Sequence, residues 1–403
     1  MKSTIKILFA LMAVLLVLAG CEYEVAKPQW EQDHENPPVP VITEMDPAEG
    51  AIAGVNAITL IGENFADSLQ RNHVYFNNVE AEIIEASSAS ITVRRPNLES
   101  DSSVVNSSVK LVSYDALLVA AYSDPYPVFS VTEQYGNFIE NLTLAAITTD
   151  QDSNLYVVET TSRNIYKITP DEEKSLVGVA GGTVYDLKMS PSGKLILLFN
   201  NKEIHQVDPD AVVDTAVVWT GVKKRVKYGD FDESGNFYAA SKSSDLICVK
   251  PDLTSRQLGF YSSDEIFCVR VLDNDVYVLV KLKNGEPELG IWKHEILDAD
   301  GNLGEGQLVL DWAETGDFAD VDPTGFDIDA EGNIYIAADR EENPLMVRYT
   351  NGDLDTYYKD IIPGPAKQII WSTGTHLFMI LDGDEKNVLR IDMGVQGAPN
   401  FRG

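Results

Sequence analysis

A sixfold recurrence constrains this chain more than any other feature it carries. A turn rich in Gly or Asn leads into an apolar pair that opens a strand-like run. The runs are NLYVVE at Leu155-Tyr156, KLILLF at Leu195-Ile196, NFYAAS at Phe237-Tyr238, DVYVLV at Val276-Tyr277, NIYIAA at Ile334-Tyr335 and HLFMIL at Leu377-Phe378. Successive pairs lie 40, 42, 39, 58 and 43 residues apart. A further strand follows the pair and ends in a charged turn, as in NIYKITPDE, EIHQVDPD, DLICVKPDL, PLMVRYTNG and NVLRIDMG. A period of about 40 to 45 residues built of short strands predicts a β-propeller, because one such unit cannot bury its apolar face alone and must stack on its neighbours.

Two irregularities in the recurrence carry expectations of their own. The last unit has strands near 367 to 371, 377 to 381 and 387 to 392, and no fourth before Gly403. A propeller sheet left with a bare edge invites aggregation. Residues around Tyr135 to Ile139 are therefore expected to supply the missing outer strand, so that the first and last segments share a blade. The 58-residue interval predicts an insertion, roughly Lys283 to Pro323, that carries Trp292 and Trp312. Insertions in a repeat array map to loops on one face, often the binding face.

Upstream of the repeats the pattern is also strand-like. VPVITEM, AITLIGE, HVYFN, EAEIIEA and SITVRRP are separated by clusters of Gly, Asn, Asp and Pro, which predicts a β-sandwich. The run Met45-Asp46-Pro47-Ala48-Glu49-Gly50, then Gly54, then ITLIGENF from Ile58 to Phe65, then Val74-Tyr75-Phe76, resembles the IPT/TIG immunoglobulin-like domain. In such a domain the glycines of the P-x-x-G and G-x-N-F turns would permit positive φ, and Phe65 would plug the sandwich. The repeats, with their strand, Pro-Asp, strand pattern, resemble the NHL-type six-bladed propeller. The fold class expected is therefore all-β, an N-terminal immunoglobulin-like β-sandwich (39–132) followed by a six-bladed β-propeller (133–403).

The N-terminus reads as an export signal. Lys2 and Lys6 precede an apolar run from Ile7 to Leu18, too short to span a bilayer comfortably and followed by acidic residues. Leu18-Ala19-Gly20-Cys21 resembles the bacterial lipobox, which implies cleavage after residue 20 and a lipid on Cys21. Residues 21–38 are polar and acidic and end in Pro37-Pro38, as a tether would. The order of lipidated cysteine, tether, immunoglobulin-like domain and propeller resembles surface lipoproteins of Bacteroidetes. That resemblance implies an outer-membrane location facing the exterior, with the periplasmic face as the alternative, beside a nutrient transporter and its lipoprotein lid.

Charge narrows the partners. With 31 Lys and Arg against 63 Asp and Glu, the net charge of −32 repels nucleic acid and anionic head groups. Besides Cys21 there are only Cys248 and Cys268, both in apolar runs, where cysteine behaves as a small buried hydrophobe; a disulfide between them stays open.

Four constellations could carry chemistry. Asp298, Asp300 and Asn302 place oxygens on alternate residues, as a calcium loop does, although the glycine is misplaced for an EF-hand and a solvated acidic turn is the alternative. A catalytic site has no local motif: the histidines His34, His73, His205, His294 and His376 are scattered, and neither HExxH nor GxSxG occurs. Charged residues on the innermost strands, Lys188, Asp230, Arg270 and Asp327, are expected to face the central channel, with pairing or a direction between blades as the alternative. Trp292, Trp312, Trp371, Tyr357 and Tyr358 are candidate platforms for sugar rings, with packing between blades as the alternative. The leading reading is a non-catalytic surface lipoprotein that binds polysaccharide or glycan fragments. A protein-interaction or adhesion scaffold and a propeller lyase or lactonase are its rivals.

Overall fold

The computed structural model describes residues 38–98, 103–114, 116–138, 142–382 and 387–399. The signal segment, Cys21 and nearly all of the tether fall outside the described residues. No helix among the described residues is long and apolar enough to cross a membrane.

The N-terminal part is a sandwich. One sheet runs Val41–Asp46, Ala57–Glu63, Ser90–Arg94, Ile83–Ala86, and the other runs Val79–Ala81, Asn72–Phe76, Val109–Ser113, Ala120–Ala121. Alternation decides which side chains meet: in Ala57–Glu63 the residues Ile58, Leu60 and Gly62 are buried while their neighbours are not. Met45, Ile58, Leu60, Val74, Phe76, Ile91, Val93 and Leu111 form the core, and Phe65 is buried among them as expected. The glycine expectation holds at one turn only. Gly50 has φ +113, but in the second turn the positive φ belongs to Asn64. Gly62 is needed for a different reason: a Cβ there would lie 1.9 Å from the Val41 carbonyl oxygen and 2.5 Å from the Phe65 ring.

The repeats form six sheets around an axis. Their innermost strands are Leu144–Thr149, Asp186–Met189, Tyr228–Phe231, Glu265–Leu272, Pro323–Ile328 and Ala366–Trp371, and each touches the next, the last returning to the first. We number the blades one to six in this order. Blade six is Ala366–Trp371, His376–Leu381 and Val388–Asp392, completed by Thr132–Tyr135 in antiparallel register, with Thr132 opposite Ile391 and Tyr135 opposite Val388. The ring is thus closed by the expected segment, a few residues earlier than the sequence suggested; Ile139 lies outside the described residues.

The supposed insertion is not one. Leu289–Glu295 and Gln307–Asp311, both within it, are the third and fourth strands of blade four. The long interval arises from long strands and from the connections 282–288, 296–306 and 312–322. The middle connection docks on blade three, where Asn236 Nδ2 donates to the Ala299 carbonyl at 3.2 Å and Lys250 pairs with Asp300 at 2.6 Å.

A buried staple repeats in blades one, three and five, at the turn after the innermost strand. Asp150, Asp232 and Asp329 each accept the backbone N–H and the side-chain amide of the asparagine four residues on (Asn154, Asn236, Asn333) and the hydroxyl of the tyrosine six residues on (Tyr156, Tyr238, Tyr335). These bonds satisfy carboxylates that burial would otherwise penalise.

Candidate functional site

The six inner strands bring together residues that lie far apart in sequence. Thr148, Lys188, Asp230, Arg270, Asp327 and Ile370 occupy equivalent positions, opposite Tyr156, Ile196, Tyr238, Tyr277, Tyr335 and Phe378 of the second strands. Lys188, Asp230, Arg270 and Asp327 therefore stand at one level of the inner strands. They are buried and largely engaged with one another and with backbone. Asp230 accepts the N–H of Val271 at 3.1 Å and Asp327 that of Trp371 at 2.9 Å, each reaching the inner strand of the next blade. Arg270 donates to the carbonyls of Val269 and Ile369 and lies 3.6 Å from Asp327. Lys188 lies 3.8 Å from Asp186. This layer ties blades together.

Nearer the N-terminal ends of the inner strands the channel opens into a cavity of ≈ 230 Å³. Every blade contributes to its lining, with Ala145, Tyr185, Lys227, Phe267, Gly325 and Lys367 from blades one to six. The floor includes Asp186 and Arg270. Asp186 accepts from the Leu187 N–H at 3.0 Å, the Gly229 N–H at 3.2 Å and Gln368 Nε2 at 3.1 Å. Burial pushes its carboxyl above the usual carboxylate range, with Lys188 and Arg270 pulling the other way. Gln368 also accepts the Ile147 N–H at 3.0 Å, so one amide joins blades one, two and six. Burial works against the Arg270 charge, but Cys268 and the surrounding carboxylates outweigh it and hold the guanidinium above its ordinary value.

On the wall, the Lys227 ammonium lies 4.9 Å from the Tyr185 ring centroid and 4.8 Å from that of Tyr228. Burial lowers the Lys227 pKa, opposed by Glu265 and Asp186, and burial raises that of Tyr228. Lys367 donates to the Leu144 carbonyl at 2.6 Å. Tyr185 is 40% exposed and offers a ring to solvent. A cavity of this kind, with aromatic faces, amides and cations aimed into it, is suited to holding a small polar ligand or the end of a chain.

The aromatic platforms expected from sequence are elsewhere and are not stacking surfaces. Trp371 is fully buried, 5.5 Å from Tyr335 and edge-on to it, and Gly397 packs against its ring. Trp312 is buried and donates to the Val321 carbonyl at 3.0 Å. Tyr357 donates to the Met393 carbonyl at 2.6 Å, and Tyr358 sits at the junction with the sandwich. Trp292 is buried in blade four, 6.4 Å from Tyr261. All five fill interfaces, the alternative that large amphipathic rings allow.

The calcium loop is corrected too. Asp298 accepts both the backbone N–H and Nδ2 of Asn302, at 3.1 and 2.6 Å, while Asp300 takes the Lys250 ammonium. A cation already occupies one ligand and the others point at partners, so this donor set does not fit a calcium ion. Among the described residues no group of three or more His, Cys, Asp or Glu is placed to hold a metal ion. Cys248 and Cys268, in blades three and four, are free buried thiols.

Sequence reasoning missed Tyr185, Asp186, Lys227, Tyr228, Phe267, Lys367 and Gln368. A usable signal was present for some of them. Asp186, Tyr228 and Gln368 each lie two residues before a channel position, hence on the same face of the strand.

Residues 40–126 match the model of the IPT/TIG domain. No curated protein matches the chain. Among solved structures, an auxiliary nutrient binding protein from Bacteroides thetaiotaomicron is similar over 89% of this chain and 98% of its own, at 14% identity and a TM-score of 0.52. A luciferin-regenerating enzyme is similar over 68% of this chain and 98% of its own, at 15% identity and a TM-score of 0.52. Regucalcin, a calcium-binding protein from Agrobacterium tumefaciens, is similar over 67% of this chain and 97% of its own, at 15% identity and a TM-score of 0.51. By fold the chain is an all-β protein, an immunoglobulin-like sandwich of the IPT/TIG type followed by a six-bladed propeller.

Proposed function

We propose that this chain is a lipid-anchored binding protein of the cell surface, attached to the outer membrane through Cys21, which captures glycan fragments at the mouth of its propeller channel for a neighbouring transporter. The observation that carries the reading is the ≈ 230 Å³ cavity lined from all six blades, where Tyr185, Lys227 and Gln368 converge. Its carboxylates favour binding over acid-base chemistry. Asp186 at the floor, and Asp230 and Asp327 below it, each accept backbone N–H groups from the next blade and so act as staples. The likeness to the Bacteroides thetaiotaomicron nutrient binding protein over nearly the whole length of both chains supports this reading. The lipobox-like Leu18-Ala19-Gly20-Cys21 supports the anchor.

Affinity electrophoresis of the chain against a panel of polysaccharides tests the binding role. Retardation by at least one glycan, reduced when Tyr185→Ala is introduced, is the expected result. Product formation from any of them would move the protein to the enzymes, and indifference to every glycan would favour a scaffold. Metabolic labelling with a fatty acid tests the anchor: the wild type incorporates label and Cys21→Ala does not.

A further inference from the structure

The charge of the cavity is opposite to that of the molecule around it. Its charged lining consists of three cations, Lys227, Arg270 and Lys367, and one carboxylate, Asp186; with Arg270 paired to Asp327 beneath the floor, Lys227 and Lys367 remain against Asp186. The whole chain has 63 acidic residues against 31 basic ones. The neighbouring groove at blade four follows the general trend, with Glu286, Glu288, Asp311, Asp320 and Asp322 against Lys281. A local reversal of this size, set in a recess with low-dielectric walls, focuses field on whatever enters it.

The cation on the wall is also free to act. Lys227 makes no ion pair among the described residues, and its ammonium is steadied by the faces of Tyr185 and Tyr228. Cation–π contact positions an ammonium without using up its hydrogen-bond donors. Asp186, the one carboxylate in the lining, is engaged by Leu187, Gly229 and Gln368, so it and Glu265 reach Lys227 through their field and not as a hydrogen-bonded ion pair. Beside the ammonium lies the exposed ring of Tyr185, a surface for the C–H face of a sugar.

We propose that the channel mouth recognises an acidic sugar, a pyranose bearing a carboxylate, with the carboxylate paired to Lys227 and the ring laid against Tyr185. This names the ligand class for the glycan-binding site above and rests on that reading. Arg270, held by the carbonyls of Val269 and Ile369 and by Asp327, and Lys367, held by the Leu144 carbonyl, contribute field and not contacts.

Titration calorimetry with three probes tests it: an oligogalacturonate, the same oligomer methyl-esterified, and a neutral maltooligosaccharide. The acidic oligomer is expected to bind about tenfold or more tighter than its ester, the worth of one charge-assisted contact. Added sodium chloride should weaken the acidic oligomer and leave the ester unchanged. Lys227→Met should abolish the difference and Lys227→Arg should keep most of it. Should Lys227→Met fail to fold, the comparison of acid and ester decides alone. Equal binding of acid, ester and neutral oligomers overturns the acidic preference and leaves the glycan-binding reading intact. Absence of binding by all three, together with indifference to every polysaccharide in the electrophoresis panel, overturns both. Acid-selective binding that survives Lys227→Met places the site elsewhere and also overturns the proposal.

Discussion

At the scale of single residues, the fold depends on carboxylates that are buried and fully used. Asp329 has no exposed surface and holds Asn333 and Tyr335 through three hydrogen bonds. Asp329→Ala strands those donors in the core and should cost about 3 kcal/mol; a chemical denaturation curve reads the change. Asp298→Ala is the comparison, because the same Asp and Asn pairing there is exposed, and its midpoint should not move. The Asp, Asn, Tyr spacing was present in the sequence, yet only its apolar part was legible there, because the same letters also spell an ordinary solvated turn. Cys248 provides a second test. Burial pushes its thiol up to about 11, above the ordinary thiol value. The unfolded chain therefore loses this proton first as pH rises, so stability is fully present below about 9 and falls toward about 11. Cys248→Ala should flatten part of that fall in melting temperatures measured across the range. Iodoacetamide at pH 8 should leave both buried thiols unmodified until denaturant is added.

At the scale of elements, the closing strand is the most informative part of the ring. Thr132–Tyr135 has four registered partners in Val388–Asp392, and Tyr135 is its one buried residue. That side chain is 1% exposed, lies 5.0 Å from the Phe378 ring and donates to the Thr169 carbonyl at 2.7 Å. Tyr135→Ala should cost about 3 to 5 kcal/mol as a buried aromatic truncation. Hydrogen exchange should then accelerate in Val388–Asp392 before any other blade. The need for this strand was legible in the sequence because a period of four strands leaves an arithmetic deficit when the last unit shows three. Its register was not legible, since a few residues either way keep the same polar and apolar alternation. The insertion was misjudged for a related reason. Spacing between apolar pairs measures total length and cannot separate long strands from long loops, and blade four has both.

At the scale of the whole molecule, the site was the least legible part, because the cavity takes short groups of residues from six blades, spread between Ala145 and Ile369, and no local window contains two blades of it. The two folds, by contrast, were separable from sequence, and the structure adds that they are docked. Gly54 donates to the Tyr358 hydroxyl, which itself donates to the Asp392 carbonyl, and Lys359 pairs with Glu82 at 3.4 Å. The folds also meet backbone to backbone. Gly394, at φ +68, lies so near the sandwich that a Cβ would sit 2.4 Å from the Ala53 carbonyl carbon and 2.5 Å from the Gly54 nitrogen. Neither fold can yield there by turning a side chain. Gly394→Ala should therefore undock the sandwich while leaving each core intact, since none of the sandwich core residues lies at this contact. Small-angle scattering should show a larger radius of gyration and a broadened distance distribution for the variant, with the wild type matching a single compact arrangement. Affinity at the channel mouth should be unchanged, because the mouth lies at the N-terminal ends of the inner strands and Gly394 follows the third strand of blade six. An unchanged radius of gyration would mean that side-chain contacts around Tyr358, and not the glycine pair, hold the two folds together.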